Sequence, residues 1–262
     1  MIGKAKSISY VANAINYAKN KTDAVEISRN KVVGETGREI AKEFRVFQNL
    51  NSRCERNSFS IVLSPTIPDG IRLNNDDFAK LSDDFLERLK LKENQYISFL
   101  HSDEKHKHLH IFVNRIDFNG KAYKDHFISK KAQRIAEGVA KDWGFTTAKE
   151  IQLQKEERLA REIKDAHNKI LQQRPRNIFE YAEQMKLFSI QTHLKKASDG
   201  KVVGVKFQAG DDSIKASSVH RSFSAAKLQK IIKESFDALS YTSQERSKRP
   251  RIKSTKKPRF KL

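Results

Sequence analysis

One cysteine, Cys54, stands in a chain of 262 residues. It excludes an intramolecular disulfide framework and fits a reducing, cytoplasmic compartment. Long apolar runs are missing as well. No stretch approaches the ~20 apolar residues that a membrane-spanning helix needs. No apolar signal core follows Met1-Ile2-Gly3-Lys4. Hydrophobic residues make up only 37%, low for a compact protein, yet the length still allows one or two domains with real cores. Acidic side chains are outnumbered, 32 against 52 basic, for a formal net charge of +20. An excess of that size implies a polyanionic partner, either nucleic acid or an anionic membrane. No amphipathic anchor with exposed aromatics stands out, so nucleic acid is the better fit.

Histidine is where the composition becomes specific. Four of the eight histidines fall in the run His101-Ser102-Asp103-Glu104-Lys105-His106-Lys107-His108-Leu109-His110. Tyr96 to Leu100 leads in and Leu109 to Val113 leads out. Both stretches are β-branched and aromatic and read as strands joined by a short polar turn. His108 and His110 are two apart and share one strand face. His101 ends the preceding strand, and a hairpin through Ser102 to Lys107 brings it beside them. Three imidazoles then face one point, a donor set suited to a divalent transition metal with positions left open for a substrate oxygen. Asp103 is placed to accept a ligand's second ring N–H. His106 precedes the strand and ranks below the other three. A lone histidine on a strand is usually a satisfied surface or core residue. Three at this spacing, between apolar strands, are harder to explain that way.

The whole run is more telling than its parts. His101-x-Asp103, four residues, His108-Leu109-His110, then Val113-Asn114-Arg115-Ile116-Asp117 with Gly120 close behind, resembles the third motif of the plasmid mobilisation relaxases. These belong to the HUH endonuclease superfamily. The resemblance covers about residues 1–147. It implies His101, His108 and His110 as ligands of a divalent ion, Mg²⁺ or Mn²⁺, with Asp103 and Asn114 in support. Ile15-Asn16-Tyr17-Ala18 is similar to the family's first motif, which makes Tyr17 the nucleophile, with Tyr10 as its rival. Lys19 and Lys21 follow directly and suit a phosphate. Ser52 lies where relaxases carry a serine-bearing second motif near the nick. The implied activity is strand-specific nicking of single-stranded DNA at an origin of transfer, through a 5′-phosphotyrosine link. Accessory mobilisation proteins and a coupling protein are the implied partners. The implied location is the bacterial cytoplasm, with passage into a recipient cell alongside the DNA. Three other readings stay open: a rolling-circle replication initiator, a non-catalytic DNA-binding accessory protein, and a zinc hydrolase acting on another phosphoester. Initiators place the tyrosine after the histidine pair, whereas here it precedes it.

The remaining pattern sets the expected fold. Residues 1–10 suggest a strand with Ile2 and Ile8 as apolar points, and Val11 to Lys21 a helix. Residues 22–57 are polar and basic, with a turn at Gly34 to Gly37 and a helix from Arg38 to Leu50. Phe59 to Leu63 alternates as a strand. Asn75 or Asp76 caps a helix with Phe78, Leu81, Phe85 and Leu89 as its inward stripe. Lys130 to Trp143 forms another, closed by Gly144. His126 lies apart from the cluster and reads as unrelated to it. The expected class is α+β, an antiparallel sheet with helices on one side, as the HUH relaxase fold would be. A charged helix (Glu150 to Gln173) and a helix-hairpin-helix module, 150–240 in all, follow. Residues 241–262 read as a disordered basic tail, with Lys248, Arg249, Arg251 and Lys253 as a nonspecific DNA grip.

Overall fold

The first strand shows how the sheet is built. Met1, Gly3 and Ala5 are buried, while Ile2, Lys4 and Lys6 are exposed. The inner face is thus made of the small residues, and Ile2 points out, contrary to its reading as an apolar anchor. Gly3 and Ala5 leave room for a helix to lie close, and the strand takes its parity from that helix.

The computed structural model describes residues 1–103 and 106–247, the backbone alone at 103 and 239–247. The chain divides into two units, Met1–Ile151 and the residues from Gln152 on. The first unit runs β1 (Ile2–Ile8), α1 (Val11–Lys19), β2 (Val25–Asn30), α2 (Gly37–Gln48), β3 (Ser58–Ser64), α3 (Ile67–Ile71), α4 (Asn75–Leu89), β4 (Tyr96–Asp103), β5 (His106–Asn114) and α5 (Ile128–Asp142). Its five strands pair antiparallel in the order β1-β3-β5-β4-β2. The α+β class with an antiparallel sheet is as expected.

The helices, however, lie on both faces of the sheet rather than one. Phe59, Ile61, Leu63, Leu109, Ile111 and Val113 pack with Phe78, Leu81 and Phe85 of α4 and Ala132, Ala136 and Val139 of α5. Ile97, Phe99 and Phe112 pack the other way, with Val11, Ile15 and Ala18 of α1 and Ile40, Ala41 and Phe44 of α2. Central strands that are apolar on both sides need a cover on both sides.

Local signals explain the ends. α2 starts with a capping box, Thr36 accepting from the Glu39 N–H and Glu39 accepting from the Thr36 N–H. Asn74, one residue before the expected cap, closes a second box with Asp77 at the start of α4. Gly37 sits where α2 meets α1, and a Cβ there would come within 2.3 Å of the Ala12 carbonyl oxygen. β2 was not legible in the sequence. It is an edge strand bonded only to β4, and its Val25-Glu26-Ile27-Ser28-Arg29-Asn30 has no clean apolar face.

The second unit holds most of α6 (Ala148–Gln173), then α7 (Ile178–Lys186), β6 (Gln191–Lys196), β7 (Val202–Ala209), β8 (Asp212–Lys215), α8 (Ala216–Val219) and α9 (Ala225–Ser247). β8 makes the expected hairpin a three-stranded antiparallel sheet, β6-β7-β8. Its core joins Ile163 and Ile170 of α6, Tyr181 and Met185 of α7, Phe207 of β7, and Leu228 and Ile232 of α9. His167 is buried there within 3.0 Å of the Tyr181 hydroxyl, and burial lowers its pKa. α9 continues to Ser247, past the boundary expected at 241, because no Pro or Gly interrupts it before Pro250. Lys248, Arg249, Arg251 and Lys253 lie outside the described residues.

Candidate metal centre

β4 and β5 form the hairpin that carries the histidines. His101 pairs directly with His108 across the ladder, and His110 pairs with Phe99 on one side and Val62 of β3 on the other. Strand parity therefore puts all three rings on the face covered by α1 and α2, beyond the apolar patch of Ile97, Phe99 and Phe112. Ring centroids are 5.3 Å apart for His101 and His108, 4.4 Å for His101 and His110, and 4.9 Å for His108 and His110. One nitrogen from each ring lies within 4.8 Å of the others.

Hydrogen bonds orient two of the rings. His101 is 1% exposed, and its Nε2 lies 2.8 Å from the Ala18 carbonyl oxygen. A carbonyl only accepts, so Nε2 carries the proton and Nδ1 keeps the lone pair in the neutral ring. Ala18 is in the last turn of α1, where carbonyls have no partner within the helix. His101 satisfies one of them, and the helix end in turn fixes the imidazole. His108 Nδ1 lies 3.2 Å from the His106 carbonyl oxygen, which leaves the lone pair on Nε2, the atom that could bind an ion. The three nitrogens are close enough together that His101, His108 and His110 could share one ion. The donor set suits a divalent transition ion.

A family model described as "Relaxase: MobA/VirD2-like, nuclease domain" matches residues 10–145, more than half of the chain. The chain belongs to this family. The match spans α1 through α5 and encloses every histidine of the cluster. No curated protein matches the chain. A relaxase nuclease domain nicks DNA, and such domains typically use a divalent metal. The three-histidine cluster is where this relaxase can hold one. Among the described residues no helix is long and apolar enough to cross a membrane.

The other residues singled out in the sequence are scattered by the fold. His106 stands beside His108, ring centroids 6.0 Å apart, but outside the group of three, with Nε2 2.9 Å from Ser64 Oγ and 3.1 Å from the Pro65 carbonyl oxygen. The Asp103 side chain lies outside the described residues. Tyr17 precedes Ala18 at the histidine end of α1 and is 68% exposed. Tyr10, 83% exposed, is the N-cap of the same helix, about 10 Å of helix rise from Tyr17. It lines a cavity of about 330 Å³ with Lys6, Arg56 and Ser60. Lys19 ion-pairs with Glu35 at 3.4 Å. Lys21 is half-buried just past α1.

Asn114 and Ser52 are not brought to the cluster. Asn114 is four residues beyond His110, about 13 Å along β5. It is fully buried, and all four of its side-chain hydrogen-bonding positions are used. Nδ2 donates to the Phe44 carbonyl and to Gln95 Oε1, and Oδ1 accepts from Gln48 Nε2 and the Ile116 N–H. Asn114 thus ties β5 to α2 and to the residues before β4, and supports no metal ligand. Ser52 is exposed in the loop before β3, and Asn57 in that loop is bonded to Arg115 just past Asn114. That is the far end of the sheet from the histidines.

Lys4 and Lys6 were missed. Lys4, Val62 and His110 form one row across β1, β3 and β5, and Lys6, Ser60 and Phe112 form the next. Both lysines are exposed, on the histidine face of the sheet. The alternation of Lys4 and Lys6 against Gly3 and Ala5 was the available signal.

Proposed function

We propose that this relaxase nicks one strand of DNA at the origin of transfer of a mobilisable element, with Tyr17 as nucleophile and His101, His108 and His110 as ligands of a divalent ion. One observation carries the reading. The Ala18 carbonyl that orients His101 belongs to the residue next to Tyr17. The histidine cluster and the end of α1 are thereby held together, and Tyr17 is the tyrosine at that end. Its exposed ring serves no core, so packing does not account for it.

When bound, the divalent ion polarises the scissile phosphate and offsets the charge that builds on it. The all-nitrogen donor set favours Mn²⁺ over Mg²⁺. Tyr17 Oη forms the new bond to phosphorus as the bond to the 3′-oxygen breaks. The phenol gives up its proton, and the departing 3′-oxygen takes one up to become a hydroxyl. The phosphodiester energy stays in the tyrosyl ester, so the strand can be rejoined. Lys4 and Lys6 offer positive charge on the same sheet face, where the strand's phosphates would pass.

The decisive test is a covalent-adduct assay with Mn²⁺ and single-stranded oligonucleotides that span the transfer origin. Wild type forms a protease-sensitive protein–DNA species, and peptide mapping finds the 5′-phosphate on Tyr17. An adduct on Tyr10, or cleavage that continues in Tyr17→Phe, overturns the assignment.

A further inference from the structure

The second unit carries a charged surface that the nicking reading does not use. On the core side of its sheet stand Leu194, Val205, Phe207 and Ile214. The opposite parity gives Gln191, His193 and Lys195 on β6, Gly204, Lys206 and Gln208 on β7, and Ser213 and Lys215 on β8. His193, Lys206 and Lys215 form one continuous row across all three strands. Lys195 stands in the next row, opposite Gly204.

Like charges directly opposite each other on a ladder destabilise it. Lys206 faces Lys215 without an acid in the row. Three lysines elsewhere in this unit are neutralised: Lys155 by Asp212 at 3.2 Å, Lys186 by Glu183 at 2.8 Å, and Lys201 by Asp199 at 2.9 Å. Among the described residues no carboxylate forms an ion pair with Lys195, Lys206 or Lys215. Asp212, the acid of β8, is drawn instead to Lys155 and Arg158 of α6. The row borders a groove of about 500 Å³, lined by His193, Lys195, Lys206 and Lys215 and also by apolar residues, Leu194 and Phe223 among them. Gly204 keeps its middle open, since a Cβ there would begin 3.2 Å from that of Lys195. The unit's buried aromatics, Tyr181, Phe207 and Phe223, belong to its core; Phe223 borders the groove but is only 4% exposed, and the strand residues of this face include no aromatic.

We propose that this face is a second DNA site, which grips the sugar–phosphate backbone of duplex DNA flanking the nicked strand. Charge selects a polyanion. The lack of an aromatic platform selects a duplex, because exposed single-strand bases are held by stacking on aromatic side chains. A duplex offers its phosphates with its bases already stacked. Lysines and polar groups contacting phosphate fix position but read no sequence. The inference rests on the DNA-nicking reading only for the choice of DNA as the polyanion.

The test uses the full chain carrying Lys206→Gln with Lys215→Gln, and a labelled duplex of arbitrary sequence. Removing two phosphate-binding charges should make the slope of log affinity against log salt shallower by about 1.8, and lower affinity at 0.1 M salt roughly tenfold or more. Single-strand affinity should fall less than duplex affinity. Relief of the Lys–Lys opposition should leave Tm at or above the wild-type value, whereas a structural role would lower it. Lys186→Gln with Lys201→Gln removes the same charge from paired lysines and should leave the slope nearly unchanged. The proposal fails if the first pair leaves the slope as in wild type. It fails equally if the control pair shifts the slope as much, or if the single-strand loss matches the duplex loss. Adduct formation on single-stranded oligonucleotides is scored separately, so failure of the nicking reading is seen in a different assay.

Discussion

The two faces of the five-stranded sheet are made from the same strands and serve opposite ends. On the α4 and α5 side, β3 and β5 present Phe59, Ile61, Leu63, Leu109, Ile111 and Val113, all fully buried. On the α1 and α2 side, the same two strands present Ser60, Ser64, His108 and His110, and β1 adds Lys4 and Lys6. Apolar packing there is limited to a smaller cluster around Phe44, Phe99 and Phe112. One face supplies stability through area removed from water. That leaves the other free to carry groups that would be costly in a core. A three-histidine cluster can therefore sit at the edge of a well-formed fold without threatening it.

If that division is right, damage on each face should read out differently. The largest effect is expected for Tyr17→Phe. The ring stays, the hydroxyl goes, and adduct formation should fall by at least ~10³-fold, on the scale of losing a nucleophile. Fold and DNA affinity should be retained, and Tyr10→Phe should keep most of the adduct. Next comes His108→Ala, which removes one of three ligands. Mn²⁺ affinity measured by calorimetry should drop more than ~100-fold, since outer-sphere changes alone cost ~10–100-fold. Wild-type affinity in this variant would remove His108 from the site. On the other face, Phe85→Ala should cost about 3–5 kcal/mol in denaturant unfolding while Mn²⁺ affinity of the folded protein is kept. A variant that lost metal without losing stability would break the comparison.

Asn114→Ala tests the boundary between the two roles. It strands Gln48, Gln95, the Phe44 carbonyl and the Ile116 N–H, and should cost about 1–3 kcal/mol with Mn²⁺ affinity unchanged. A fall in metal affinity at constant stability would return Asn114 to the site. The smallest effect on nicking itself is expected from removing residues 248–262. Each phosphate-binding charge taken away should lower the salt slope of DNA binding by about 0.9, with the nick position unmoved.

Read from the sequence alone, the histidine hairpin was legible because its information is local. Parity fixes His108 against His110, and a short polar turn fixes His101 against both. The inward stripe of α4 was legible for the same reason: Phe78, Leu81, Phe85 and Leu89 repeat at helical spacing and are all buried. β2 was not, since an edge strand with one neighbour needs no continuous apolar face. The orientation of β1 was lost because its inner residues are small rather than hydrophobic. Asn114, which the resemblance put in support of the ligands, depends on tertiary structure in the same way. Four residues of strand carry it about 13 Å from His110, and its partners come from chain segments 70 and 19 residues earlier.

The sequence by itself determined which side chains converge on the hairpin, since three residues on two adjacent antiparallel strands cannot avoid one another. It also determined the polyanionic partner, through a net charge of +20. Only the tertiary structure decided which end of α1 meets the histidines. That choice separates Tyr17 from Tyr10, and it turns on the Ala18 carbonyl meeting His101 across 83 residues of chain. Helix periodicity says which residues share a side, but not where along the sheet the helix comes to rest. That position is set by apolar packing of Val11, Ile15 and Ala18 against Ile97, Phe99 and Phe112.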